Sequence, residues 1–334
     1  MQITEPALAS ADPIAGMVWA FHFSASGEPE PLAPDAVMEA LRRERGWTWV
    51  HLRLGDARCR AWIGNHAPIT DWAREVLLGA DEHLYLDLSG GELIGILPDL
   101  QLEFDRATEE IGRLRFAMSD RLLITARRSP LRSVEKVRKT IEGGEPYASP
   151  VNLLDAIVDG FAGSARKRIL ELRDELDRVE DHVLGEAIGE ERQRLGRVRV
   201  QVTRIHRQLS QLRTLLHRFE PRAIAADRSL AGVVTNLAQK FDELDADAGS
   251  VNERARLLQD EVAAKLNELA SRRLFALSVL TAGLLPPTLI TGFFGMNTQD
   301  LPLQTTPGGS WIALAIAAAA GGLTFWILQR LRAI

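Results

Sequence analysis

The sequence predicts a mixed domain of the α+β or α/β class, followed by a long helical stalk and two C-terminal transmembrane helices, so that the membrane part is all α. Three observations carry this expectation. Short runs rich in aromatic and branched residues (MVWAFHF, WTWVHLRL, HLYLDL, ELIGILP, LQLEF, GRLRFAM and RLLITAR) punctuate the chain from Gly16 to about Arg128 and read as strands, several with period two. Beyond the breaker Glu142-Gly143-Gly144-Glu145-Pro146, strand signals stop and spacings of three and four take over. Near the C-terminus, two runs without a charge, Leu274 to Phe294 and Trp311 to Leu328, are long enough at about 1.5 Å per residue to cross a hydrocarbon core of ~30 Å.

Between the first strand runs lie two helix candidates, Asp35 to Arg45 and Thr70 to Leu78, the second opening on Thr70-Asp71 with Glu75 nearby as a cap. Ser89-Gly90-Gly91 is placed for a hairpin turn. Two strand-then-helix units followed by a meander make a layered α/β domain. No phosphate-cradling glycine loop follows a strand and no nucleophile elbow occurs. A hydrolase therefore finds no assembled catalytic set, and the expectation is a protein that is not an enzyme and carries no cofactor.

Composition excludes further classes. Forty basic residues stand against 45 acidic ones, a formal charge of −5, which argues against a nucleic-acid partner. Cys59 is the single cysteine, so neither an internal disulfide nor a thiolate zinc cluster is expected. The 7 histidines show no paired helical spacing of three or four, and no structural zinc site is expected of them. The opening stretch MQITEPALASADPIAG has neither a basic start nor an apolar run and is not read as a signal peptide.

Three long helices follow the breaker. The first, Asn152 to His182, carries Leu153, Ile157, Phe161, Leu172, Leu176 and Val179 on one side. The second, Glu190 to Phe219, is dense in arginine. The third starts near Ser229 and runs into the first uncharged stretch. Along it Val234, Phe241, Ala248, Ala255, Val262 and Leu269 recur every seven residues, with Leu237, Leu244, Val251 and Leu258 on the adjoining register. A helix from Ser229 to Phe294 spans roughly 100 Å. Its seam needs the two preceding helices, copies of itself, or both. The acids Asp242, Glu243, Asp245, Asp247, Asp260 and Glu261 either draw cations or are solvated, and pairing with the arginine-rich second helix is the simpler use of both.

The two uncharged runs form a hairpin. Arg272 and Arg273 precede it, Arg330 and Arg332 follow it, and no basic residue lies between, which by the positive-inside rule puts both termini in the cytoplasm. The first run is not a plain anchor. Pro286 and Pro287 remove two backbone donors and leave carbonyls near Ala282 and Gly283 without helical partners, and Thr281, Thr288 and Thr291 add hydroxyls. Such a face must meet protein or water. The second run is plain, with Gly321 and Gly322 for close packing. Two functions follow: an ion-conducting oligomer, or a membrane-anchored coiled-coil scaffold or sensor. The polar, proline-broken first run favours the pore.

Gly295-Met296-Asn297 at the outer end of the first run, preceded by TLITGFF, resembles the signature of the CorA superfamily of divalent-cation transporters. NELASRRLFALSVL, WTWVHLRL and LLITARR are similar to segments of its ZntB zinc-transporter branch. The resemblance implies a layout with 1–145 a cytosolic α/β domain, 146–225 cytosolic long helices, and 226–294 a stalk continuing into the first transmembrane helix. An extracytoplasmic loop at 295–310 carries the motif, 311–329 is the second transmembrane helix, and 330–334 is a basic tail. It also implies a homopentamer in a bacterial inner membrane, with lipid, sister subunits and divalent cations as its partners.

Reading inward from Asn297, the residues at helical spacing are Gly292, Thr288, Leu285, Thr281, Leu277, Leu274 and Ser271. By resemblance, Asn297 and Thr288 correspond to polar rings of the pore, and Leu285, Leu277 and Leu274 to apolar constrictions. Amide oxygens suit a cation that keeps its water, and leucine rings gate by dewetting. At 100 mV, negative inside, a dication gains about 4.6 kcal/mol on entry. Asp300 either concentrates cations at the mouth or is a solvated loop residue. The magnesium branch commonly has a glutamate after the proline, whereas Pro302 is followed here by Leu303. The ZntB branch usually has glycines where this chain has Thr298-Gln299-Asp300, so the loop matches neither branch. The closer likeness of the other segments to the ZntB branch implies Zn²⁺ as the cargo, with Mg²⁺, Co²⁺ or Ni²⁺ as alternatives.

Overall fold

A computed structural model describes residues 14, 16–103, 106–184, 191–296, 301–303 and 307–331. The chain divides into two units, Met1–Arg256 and Leu257–Ile334. The first unit is built on a seven-stranded sheet of order β2-β1-β3-β7-β6-β5-β4. Its strands are β1 (Met17–Phe23), β2 (Pro29–Pro31), β3 (Trp47–Arg53), β4 (Tyr85–Ser89), β5 (Glu92–Glu103), β6 (Arg106–Met118) and β7 (Leu122–Arg127). Pairing is antiparallel except between β3 and β7, the parallel pair at the centre.

The expected meander is β4 to β7. Gly90 and Gly91 take φ of 61° and 81°, left-handed values that a two-residue hairpin requires at both positions. ELIGILP and LQLEF are parts of one strand, β5, whose register shifts between Leu100 and Leu102. A bulge of this kind interrupts the period that sequence reading relies on.

Both faces of the sheet are covered. Along β3, Thr48, Val50 and Leu52 alternate with Trp47, Trp49 and His51, and all six are buried. Val50 and Leu52, with Ala20, Ile94, Ile124 and Ala126, belong to a core shared with three short helices, α1 (Val37–Ala40), α2 (Ala57–Asn65) and α3 (Asp71–Leu78). The helix expected over Asp35 to Arg45 shrinks to the single turn of α1. Thr70 caps α3 as expected, accepting from Ala73 N at 3.2 Å, and its own N–H and hydroxyl are held by Glu92 rather than Glu75.

Against β5 packs a fourth helix, α4 (Arg132–Glu142), in a stretch that the sequence reading left unassigned. Its N-terminus is tied to the sheet. Asp99 of β5 accepts from Ser133 N at 2.9 Å, Ser133 Oγ at 2.7 Å, Leu100 N at 2.8 Å and Val134 N at 3.4 Å.

The three long helices are α5 (Pro150–Leu184), α6 (Glu191–Ala226) and α7 (Arg228–Phe294), and α8 (Gly309–Leu331) completes the chain. Within the first unit the seam of α7 is buried at Val234, Leu237, Phe241, Leu244, Ala248, Val251 and Ala255. Phe241 stacks on Phe161 of α5 at 6.2 Å, and Thr203 of α6 donates to Asn252 at 2.9 Å. The preceding helices thus bury this part of the seam without a second copy. Leu269, the last position of the heptad pattern, is exposed.

Asp99 supplies a test of this unit. Burial pushes its carboxyl from 3.8 up to about 6, against the four donors that favour the anion. Because the native value lies above the unfolded one, its stabilising contribution is complete below about pH 4 and is lost as pH rises through 6. Thermal unfolding across pH 4 to 7 is expected to show the wild type losing up to about 3 kcal/mol relative to Asp99→Asn, the equivalent of two pH units. A difference independent of pH would contradict the assignment.

Candidate functional site

Two helices of the second unit are long and apolar enough to cross a membrane: the C-terminal part of α7, and α8. Their apolar side chains are not buried. Leu285 is 66% exposed, Leu289 73% and Trp311 76%. A core helix of a soluble protein would hide such residues, so the hairpin is a membrane element.

The second unit sorts the faces of α7. A Cβ added at Gly321 of α8 would lie 3.0 Å from Pro287 Cγ and 3.4 Å from the Gly283 carbonyl oxygen. Gly283 is the residue whose carbonyl Pro287 deprives of its helical donor. The face expected to need water or foreign protein is therefore met by α8 of the same chain. Gly322, paired with Gly321 in the sequence reading, meets nothing within 4 Å. Only one of the two glycines makes the close approach.

Val279, Ala282, Gly283, Pro286, Pro287, Ile290 and Phe294 are half-buried on the α8 side. At about 100° per residue, Leu274, Leu277, Thr281, Leu285, Thr288 and Gly292 fall in an arc of about 80° on the opposite side. All six are exposed. Ser271, also exposed, lies beside the arc at its inner end.

The three threonine hydroxyls of this apolar stretch are already committed as donors. Thr281 Oγ donates to Leu277 O at 2.8 Å and Thr288 Oγ to Leu284 O at 2.7 Å, while Thr291 Oγ reaches Pro287 O at 3.0 Å. With the proton directed into the helix, each oxygen turns lone pairs outward. Thr281 and Thr288 thus present acceptors, the polarity that a cation or its hydration water needs, between exposed leucines.

At the outer end, α7 closes with Gly295 N donating to Thr291 O at 2.9 Å and Met296 N to Phe293 O at 3.4 Å. Gly295 and Met296 are exposed; Asn297, Asp300 and Arg332 lie outside the described residues. At the inner end Arg272 pairs with Glu268 at 2.6 Å and Arg273 is exposed. Arg330 lies over the Trp326 ring at 5.3 Å.

The stalk acids Asp242, Glu243, Asp245 and Asp247 have partners in the first unit, though not the arginines near the start of α6. Asp242 meets His217 at 2.9 Å and Asp245 meets Arg213 and His206, each at 3.4 Å. Arg166 and Arg173 of α5 approach Glu243 and Asp247 at 3.5 and 3.9 Å. Among the described residues, no group of three or more His, Cys, Asp or Glu side chains could hold a metal ion.

A family model described as "CorA-like Mg2+ transporter protein" matches residues 44–330. The zinc transport protein ZntB of Yersinia enterocolitica is 22% identical over 320 residues, 94% of this chain and 95% of the relative. The divalent cation transporter CmaX of Pseudomonas aeruginosa is 24% identical over 306 residues, 89% of this chain and 90% of the relative. The solved structure of full-length CmaX superposes with a TM-score of 0.80 at 21% identity, covering 97% of this chain and 99% of that one.

The two glycines of α8 make the packing testable. Gly321→Leu has no room for its side chain against Pro287 and is expected to lower the thermal midpoint of the detergent-solubilised protein by several degrees, whereas Gly322→Leu leaves it within about a degree. Equal effects would refute the contact.

Proposed function

We propose, on the premise that this chain belongs to the CorA-like Mg2+ transporter family, that it brings Zn²⁺ into the cytoplasm through a homo-oligomeric pore lined by α7. Membership makes it a divalent-cation transporter of the membrane, in a family of transporters and not of enzymes. The metal, the subunit number and the pore residues are inferred. The observation that carries the reading is the exposed arc of α7 opposite α8, where Thr281 and Thr288 offer oxygen acceptors between Leu274, Leu277 and Leu285. One chain cannot enclose a water-filled path with a single helix face. Several copies can, and five is the number implied by the sequence resemblance.

In this reading a dication enters down the membrane potential, still largely hydrated, past rings at Asn297 and Thr288. Asp300 raises its concentration at the mouth. Leu285, Leu277 and Leu274 close the path by excluding water. Residues 1–145 and 146–225 with the stalk stay in the cytoplasm, 295–310 faces outward, and 330–334 returns to the cytoplasm, in a bacterial inner membrane. The named activity of the ZntB relative supports zinc. The description of the family model supports the alternative, a Mg²⁺ or Co²⁺ channel. The scaffold reading gives way because the family model spans the N-terminal domain and the hairpin together.

Uptake into proteoliposomes tests the proposal, with Zn²⁺, Mg²⁺, Co²⁺ and Ni²⁺ compared with and without a pH gradient. Zn²⁺ is expected to enter fastest and Asn297→Ala to abolish or deregulate its entry. Leu285→Ser, which wets a constriction, is expected to raise leak on the order of tenfold. If no dication moves under any gradient, transport through this chain is refuted; if Mg²⁺ moves and Zn²⁺ does not, the alternative holds.

A further inference from the structure

We propose that a cavity in the first unit, enclosed by β5, β6, α4, α5 and α6, binds a small phosphate-bearing ligand with an apolar body, of the nucleoside monophosphate class. The cavity has a volume of about 310 Å³, at the small end of the ~300–1,000 Å³ range of ligand sites. Its polar wall is cationic: Arg132, Lys167, Arg168 and Arg204 stand against one carboxylate, Glu171. The chain as a whole carries a net charge of −5, so this concentration does not follow from composition.

The four cations are not equivalent. Arg168 is held across the cavity wall, donating to Gln201 Oε1 at 2.6 Å and to Glu171 at 2.9 Å. Lys167 lies 4.0 Å from the same carboxylate. Glu171 is therefore engaged by its own helix. Arg132 and Arg204 have no hydrogen-bond or ion-pair partner among the described residues, and they approach from different helices, α4 and α6. Like charges held around a concave surface repel one another and focus field lines, a cost that an anion relieves. Two guanidinium groups on separate walls match a phosphate, which accepts paired N–H donors.

The rest of the lining specifies the body of the ligand. Leu100, Ile111, Phe161, Ala165 and Ile205 give a floor of aliphatic and aromatic carbon. Inorganic phosphate would leave that surface wet. Gln208 lies in the same lining, and a side-chain amide can accept from an N–H on the ligand. A nucleobase carries such a donor on an aromatic plane, which combines with phosphate in a mononucleotide.

Isothermal titration of the full-length, detergent-solubilised protein tests the assignment, with AMP, adenosine and inorganic phosphate as probes. AMP is expected to bind at least tenfold more tightly than either fragment. Arg204→Glu and Arg132→Gln are each expected to weaken AMP by tenfold or more; Arg204 is exposed, and an unchanged thermal midpoint of that variant shows that the fold is kept. Gln208→Leu is expected to weaken AMP while leaving phosphate unaffected. No AMP binding at millimolar concentration, AMP and adenosine binding equally, phosphate binding as tightly as AMP, or AMP affinity indifferent to both arginine substitutions would each overturn the proposal.

Discussion

An uncharged helix with two prolines has to place its freed carbonyls somewhere, and in this chain the place is α8. Lipid offers no hydrogen bonds, so a carbonyl without a donor must be turned toward protein or water. Gly321 carries no side chain, which lets α8 close on the Gly283 carbonyl and the Pro287 ring. Once this side of α7 is occupied, the threonine-and-leucine arc is the one left open. The same contact that makes the hairpin a unit therefore decides which residues face outward. The prolines lie on the side of α7 that meets α8, opposite the threonine-and-leucine arc.

Much of this was legible because it rests on local chemistry. The double-glycine hairpin, the uncharged runs and the heptad seam are each written in consecutive or regularly spaced residues. Helix α4 was not read, although Val134, Val137 and Ile141 are spaced for a helix and all are buried. Its start has no local signal: Leu131, at the N-cap, offers no side-chain hydrogen bond, and the cap comes from Asp99 on β5. Helix α2 was missed because nine residues give too short a window for a helical period, although Cys59, Trp62 and Ile63 form its buried face and Asp56 caps it through Arg58 N at 2.9 Å, a signal the sequence did hold. Which face of α7 meets α8 could not be read at all, since Gly321 and Gly322 are equivalent until the helices are docked.

The stalk shows the same limit for charge. Acids along α7 and basic residues along α6 suggested complementary pairing, but helix rotation selects His206, Arg213 and His217 as the α6 partners of Asp242 and Asp245. The exposed pair of Asp242 with His217 contributes little, commonly about 0–1 kcal/mol, whereas Asp245 is buried and depends on its partners. Such pairs help to fix register, while the seam around Phe241 is buried apolar surface.

The direct test of the central claim is the water accessibility of α7 in the assembled membrane protein. Cysteines would be introduced singly at positions 281 to 292 and exposed to a charged, water-soluble thiol reagent. Cys59 is buried and its thiol is pushed up to about 11, so the native background is silent. Rapid labelling at Thr281→Cys, Leu285→Cys and Thr288→Cys, slowed by Zn²⁺, with protection at Gly283→Cys and Pro287→Cys, is the predicted pattern. Protection at the first three positions with labelling on the α8 side would contradict the account.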